Sequence, residues 1–316
     1  MAIKQGQSYA TPTPRRRVRA NTVRRQRAIA RLLLLAPAVL VVLATTTYPL
    51  ISALLASFRD WQFIYSPNPG AWVGLKNYAQ AIHDREFINA IVVTLEFTAL
   101  SVAMCMVLAL AMALVLYKPG RVNVITRALL IFPFAVSPAL KGYSWKFMLD
   151  PDYGIYAKLI GVVVPPAQGV VWLSQQFWAL FWLAVSEVWG WGPLMALMFI
   201  GGLSAISPEI FDAARVDGST GLALFRHIIL PLLRPILLMA MLLKIIFSLK
   251  VFDQVVTMTS GGPGDSTQTL NYYVYQAAFR DFNMGYASAL AIILVVALSI
   301  FAFVYVKLVT GKAGES

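Results

Sequence analysis

The side chains with most chemical potential here are charged ones set inside otherwise apolar runs: Glu96, Lys141, Lys146, Glu187, Lys244, Lys250 and Asp253. A carboxylate or ammonium in a lipid core is costly unless it is paired or faces water. Such groups therefore mark ion pairs, proton relays or contacts to a polar solute. Judged by distance from the ends of their runs, Glu187 and Lys250 lie at similar depth, and so do Glu96 and Lys141. Each couple can form a pair or face an aqueous pathway, while Lys146, near an outer end, is placed to snorkel. Trp182, Trp189 and Trp191 cluster with Gly190 and Gly192. Aromatic faces of this kind either pack as core or stack on the C–H faces of a sugar-like ring. Asp253, Gln254, Asn271, Tyr272 and Tyr273 can hydrogen-bond hydroxyls. The candidates for a solute pathway are Glu187, Trp189, Trp191, Lys244, Lys250, Asp253, Gln254, Asn271 and Tyr272.

Catalytic constellations are missing. No Gly-x-x-x-x-Gly-Lys-Ser/Thr phosphate loop occurs. His83 and His227 stand apart from any Ser or Cys in a nucleophile motif, and the single cysteine, Cys105, lies inside an apolar run. Neither a disulfide framework nor a Cys/His metal spacing exists, so no metal is expected. The chain is expected to be no enzyme and to bind no cofactor itself.

A different kind of segment runs from Pro208 to Pro235, polar and amphipathic between two apolar runs. Ser207 suits an N-cap, Pro208 the first helical position, and Glu209 the positive end of the helix dipole. Gly218 sits where a helix ends through a left-handed residue. A second helix then begins at Ser219 or Thr220, and Pro231 and Pro235 close it before the next apolar run. The flanking spans and the few arginines (Arg215, Arg226, Arg234) set aside a nucleic-acid-reading helix-turn-helix.

These groups must be positioned by membrane helices. The chain has 316 residues, is 59% hydrophobic and only 13% charged, with mean hydropathy +0.70. That composition exposes too much apolar surface for a soluble domain. Six runs reach the roughly 20 residues a crossing helix needs: about 32–57, 88–117, 127–148, 177–203, 234–258 and 286–309. Lys4 and eight arginines between Arg15 and Arg31, with no acid, precede the first run. Basic residues also flank the second, fourth and sixth runs on that same side. The opposite segments hold only Arg59, Lys76, Arg85, Lys158 and Arg280. The asymmetry places both termini in the cytoplasm, and the Pro208–Pro235 segment with them. Net charge +12 therefore reflects membrane topology and a tail that meets anionic lipid, not nucleic-acid binding. The reading is an all-α, polytopic membrane protein of six transmembrane helices with a cytoplasmic helix-turn-helix coupling loop. Residues 1–31 form a basic tail, 32–309 the transmembrane domain with its loop at 204–235, and 310–316 a second tail.

Asp212-Ala213-Ala214, three residues, Gly218, nine residues and then Ile228-x-Leu230-Pro231 resembles the EAA loop of bacterial ABC importer permeases, with Asp212 where Glu is usual. Gly74-Leu-Lys-Asn-Tyr78, Phe252-Asp253, Thr259-Ser-Gly-Gly-Pro263 and Gly285-Tyr-Ala-Ser-Ala289 resemble the sugar-importer branch of that family (maltose, trehalose, glycerol-phosphate). The resemblance implies a permease subunit of the bacterial inner membrane that pairs with a second permease, two ATPase subunits and an extracytoplasmic binding protein. ATP and Mg would then sit on the ATPase. It implies ATPase-coupling roles for Asp212, Ala213, Ala214, Arg215, Asp217, Gly218, Ile228, Leu230 and Pro231. It also implies binding-protein contact by the outer loop at Gly261, Gly262 and Pro263. An ion-coupled secondary transporter with Glu187, Asp253 and Lys250 as its relay is the alternative class.

Overall fold

The computed structural model describes residues 34–313, with side chains through residue 309. The basic segment 1–31 and most of the expected C-terminal tail lie outside the described residues. Helix α1 (Leu34–Ser57) is apolar and long enough to cross a membrane, and contains a widened π turn at Leu43–Thr47. The order then runs α2 (Lys76–His83), α3 (Arg85–Leu116), α4 (Arg121–Ala135), α5 (Pro138–Met148), α6 (Ile155–Val163) and α7 (Gln176–Ser204). It closes with α8 (Pro208–Val216), α9 (Gly221–Leu249), α10 (Leu270–Phe279) and α11 (Met284–Ala313). Among the described residues no strand forms beyond two isolated bridges, Arg59 with Trp72 and Gln62 with Asn283. Five helices meet the length and hydropathy of a membrane span, and a sixth does if α4 and α5 count as one broken span.

Two expected spans have different bounds. The run at 127–148 is not one helix: α4 and α5 meet at an angle of 96°. Pro138 has no N–H to give and pushes Ser137 to an extended conformation (φ −60°, ψ 142°), from which the Ser137 hydroxyl caps α5 by accepting from Leu140 N. The second correction concerns Pro231 and Pro235, which do not separate the loop from the next span. Helix α9 runs unbroken from Gly221, through a π turn at Phe225–Ile229, to Leu249. The wider turn just before Pro231 accommodates a residue that cannot donate back one turn. The span therefore ends at Leu249 instead of near residue 258, and a separate π turn, Val255–Thr259, follows.

The core is centred on α7, the most enclosed span, which packs on α3, on α9, on the Ile131–Ala135 end of α4 and, over a smaller area, on α5. Small residues let the backbones close up. A β-carbon on Gly202 would meet Ile236 Cδ1 at 2.4 Å, so α7 and α9 touch there. At the N-terminus of α3 Asp84 caps the helix through Glu86 N and Phe87 N, and accepts hydroxyls from Tyr273 on α10 and Tyr286 on α11 at 2.5 Å each. Burial pushes the Asp84 carboxyl up, but these hydrogen bonds outweigh it and hold it below the usual carboxylate value.

The tightest approach is at Gly142. A β-carbon there would lie 1.8 Å from Thr257 Oγ1 and 3.4 Å from Gln254 Cα. Gly142→Ala must therefore displace α5 from the 255–259 turn, at a cost of about 1–3 kcal/mol. Gly201, with open space around it, is the control. Thermal unfolding of the purified protein is expected to fall by several degrees for Gly142→Ala and to stay unchanged for Gly201→Ala.

Candidate functional site

Three helices bring charge to one point. Glu187 comes from the middle of α7, Lys141 from the first turn of α5 and Lys244 from the C-terminal half of α9. Lys244 Nζ lies 3.1 Å from Glu187 Oε1, and Lys141 Nζ lies 3.5 Å from Glu187 Oε2. All three are buried, Lys244 completely. Gly190, one turn beyond Glu187, makes room: a β-carbon there would sit 2.6 Å from Lys141 Nζ. The bend between α4 and α5 carries Lys141 into this position.

A cavity of about 300 Å³ opens beside the triad. Lys141, Glu187, Trp191, Phe247, Lys250, Asp253 and Gln254 line it, with Pro138, Val251 and Phe252. Trp191 and Phe247 form one wall, their ring centroids 4.2 Å apart, and Phe134 meets Trp191 edge-on at 5.2 Å. The volume is at the lower end of the range for small-molecule sites. Its chemistry suits a polar ring: an aromatic wall for C–H faces, and ammonium, carboxylate and amide groups for hydroxyls.

The matched depths did not give the partners. Glu187 pairs with Lys141 and Lys244, not with Lys250. Lys250 lies one residue past the end of α9, exposed on the cavity rim. Glu96 does not meet Lys141. It lines a second cavity of about 480 Å³ with Asn89, Gln176, Asp265 and Ser266. The tryptophans divide as well, because residues two apart on a helix point some 200° apart. Trp191 faces the cavity, whereas Trp182 and Trp189 pack on Trp145. Lys244 is sealed behind Glu187. Tyr272 is buried beneath the outer loop, its hydroxyl donating to Ser260 O at 2.8 Å, and its neighbour Asn271 is half-buried outside the cavity lining. Lys141 and Phe247 are cavity residues absent from the sequence-based pathway set. Lys141 is legible as an intramembrane charge, and Phe247 carries no distinguishing signal beyond lying between Lys244 and Lys250.

The Pro208–Pro235 segment forms the expected helix, elbow and helix. Ser207 caps α8 through Glu209 N, and Gly218 takes φ +75°. Ala214 and Ile229 are buried, and Phe211, Leu224 and Phe225 pack on the core near Leu203 and Leu233. Asp212, Ala213, Arg215, Asp217 and Gly218 are exposed, and so are Val216 and Leu222. Arg215 Nη1 donates to Asp212 Oδ1 at 2.8 Å. Ile228 and Leu230 are half-buried, and Pro231 is exposed. On the outer loop, Ser260 (φ +51°), Gly261 (φ +87°) and Gly264 (φ +56°) make an irregular chain. A β-carbon at Gly261 would strike the Tyr272 ring at 2.6 Å. Gly262 and Pro263 are partly exposed beside it.

Removing one member of a buried ion cluster leaves the others unpaired, which costs about 3–5 kcal/mol. Glu187→Gln and Lys244→Met are each expected to lower the melting temperature strongly. The double variant is expected to recover part of the loss, giving a non-additive cycle. Lys250→Met, with no ion pair among the described residues, is expected to melt like the parent. A melting series on the parent and the four variants checks this, and additive losses would reject coupling between Glu187 and Lys244.

Residues 105–313 match the family model described as "Binding-protein-dependent transport system inner membrane component". The chain is 30% identical over 276 residues to the trehalose transport system permease protein SugA of Mycobacterium tuberculosis, covering 87% of each. It is 32% identical over 280 residues to the trehalose/maltose transport system permease protein MalF of Thermococcus litoralis, covering 87% of this chain and 92% of that one. Among solved structures, a chain of a bacterial ABC transporter involved in the import of the acidic polysaccharide alginate superposes with TM-score 0.76 at 18% identity. That superposition covers 91% of this chain and 98% of that one, a likeness of fold. The all-α membrane fold, the helix-glycine-helix segment and these matches converge: the chain belongs to the family of binding-protein-dependent transport system inner membrane components, and is a multi-pass inner-membrane permease subunit of an ABC importer.

Proposed function

We propose that this permease forms half of a translocation pathway for a sugar or sugar-like solute, delivered by an extracytoplasmic binding protein and driven by a separate ATPase. The observation that carries the reading is a polar, aromatic-walled cavity joined by one continuous helix to an exposed hairpin. Helix α9 starts at the hairpin and ends at the cavity rim, about 35 Å from Gly221 to Lys244 at 1.5 Å per residue. Displacement of the hairpin is thus passed to the cavity with little loss in bending. The names of its relatives, which transport trehalose, maltose or sn-glycerol 3-phosphate, support a sugar-like solute here.

In this reading the partners are a second permease of similar fold, two ATPase subunits that hold ATP and Mg, and the binding protein. Asp212, Ala213, Arg215, Asp217 and Gly218 face the ATPase, with exposed Val216 and Leu222 as apolar contacts. Ala214, on the buried side of α8, and Ile228, Leu230 and Pro231, in the first turns of α9, complete the coupling segment behind that surface. Both termini, the 1–31 and 310–316 tails and the 204–235 loop lie in the cytoplasm, by the arginine asymmetry. Solute meets Glu187, Trp191, Lys250, Asp253 and Gln254. ATP closes the ATPase dimer, the hairpin moves with it, and the bundle turns outward.

At Gly218 no neighbour lies within 4 Å of a would-be β-carbon, so Gly218→Val acts through backbone conformation alone. This variant and Asp212→Lys are expected to reach the membrane at normal levels yet lose ATP-driven uptake or the co-purifying ATPase. Normal uptake in both would show that the hairpin is not the coupling element. Topology is tested separately. Asp265→Cys, at an exposed position of the 259–267 loop, in a Cys105→Ala background is expected to react with an impermeant thiol reagent from outside, and saturating binding protein is expected to protect it. Labelling only from the cytoplasmic side would reverse the orientation.

A further inference from the structure

The cavity lining carries two ammoniums, Lys141 and Lys250, and two carboxylates, Glu187 and Asp253. Behind the lining the sealed Lys244 draws on the same Glu187, so among the described residues around the cavity three ammoniums share two carboxylates. Glu187 is shared by two ammoniums, and its nearer contact is to the sealed Lys244 at 3.1 Å. The longer contact, 3.5 Å, leaves Lys141 the less satisfied of the two, and it is Lys141 that lines the cavity. Lys250, on the rim of the same cavity, forms no ion pair among the described residues. A surplus positive charge at this depth is expensive, and an anionic guest relieves it. A neutral sugar supplies only hydroxyls, which cannot offset a full charge.

We propose that the cavity selects a solute carrying one anionic group, a carboxylate, phosphate or sulfonate on a sugar-sized ring or polyol. Its charged oxygens lie between Lys141 and Lys250, and its C–H face rests on the Trp191–Phe247 wall. Asp253 and Gln254 accept from or donate to the hydroxyls. The inference rests on the permease reading and adds the charge class of the solute to it.

The test uses the assembled importer, purified with its partner permease and ATPase and put in proteoliposomes without the binding protein, so that the permease cavity alone discriminates. Equilibrium binding is measured for glucose, glucuronate and glucose 6-phosphate. At least one acid is expected to bind tenfold or more tightly than glucose. Lys250→Gln is expected to reduce that preference to threefold or less, and raised salt to weaken it. Lys250 is exposed, so its variant keeps the fold; an unchanged melting temperature and intact complex assembly verify this. Absence of a tenfold preference for either acid overturns the inference, as does a preference that survives Lys250→Gln. The comparison of the two acids tells carboxylate from phosphate recognition. Failure of the permease reading has a different signature: no ATPase assembles with the chain, whatever the solute.

Discussion

The constraint on which the rest depends is that a bilayer does not hydrate Glu187. A charged residue at the centre of a membrane helix costs on the order of 2.5–3.5 kcal/mol by insertion scales, so Glu187 must recruit cations from neighbouring helices. It draws Lys244 from α9 and Lys141 from α5. Those two contacts fix the rotation of three helices about their axes. They also give the bundle a polar centre beside which a cavity lined by Trp191, Phe247, Lys250 and Asp253 can exist.

Close packing does what the ion cluster alone cannot. Apolar side chains do not drive helices together in lipid, so small residues and steric fit decide where backbones meet. Gly202 lets α9 approach α7, Gly142 lets α5 lie against the 255–259 turn, and Gly190 leaves space for Lys141. The break at Ser137–Pro138 belongs to the same design. A straight third span would carry Lys141 along its own axis. The 96° bend instead turns α5 across the line of α4, with Lys141 set against Glu187. At the break the Ser137 hydroxyl accepts from Leu140 N, which satisfies one of the backbone groups freed there.

The hairpin and the cavity lie at the two ends of one helix. Helix α9 is continuous from Gly221 to Leu249, past both Pro231 and Pro235. Its first turns are held to the bundle by Phe225 and Ile229, and its last turns carry Lys244 and Phe247. The exposed part of the hairpin is kept short by the left-handed Gly218, so any partner seated there pushes on α9 through few intervening residues.

Much of this was legible in the sequence. Apolar run lengths set the membrane class, arginine placement implied an orientation, and the Asp212–Pro231 spacing carried the family resemblance that residues 105–313 bear out. Serine, proline and glycine marked the ends of α8 correctly, because caps and left-handed positions are local physics. What sequence could not supply was azimuth. Depth along a span is one coordinate, and Glu187 and Lys250 share it. Pairing also requires the side chains to point at each other, and that depends on helix rotation, on the bend at Pro138 and on where α9 stops. Lys244 and Lys250, six residues apart, stand about 120° apart around a helix, and Lys250 lies just past the end of α9, so Glu187 reaches the first and not the second. Trp189 and Trp191 part for the same reason. Proline likewise reads locally as a helix stop, yet the π turn before Pro231 and the packing around α9 override it. Local chemistry is thus determined by the sequence itself. Which groups meet is decided only when the helices have packed, because contact depends on three coordinates and the chain order gives one.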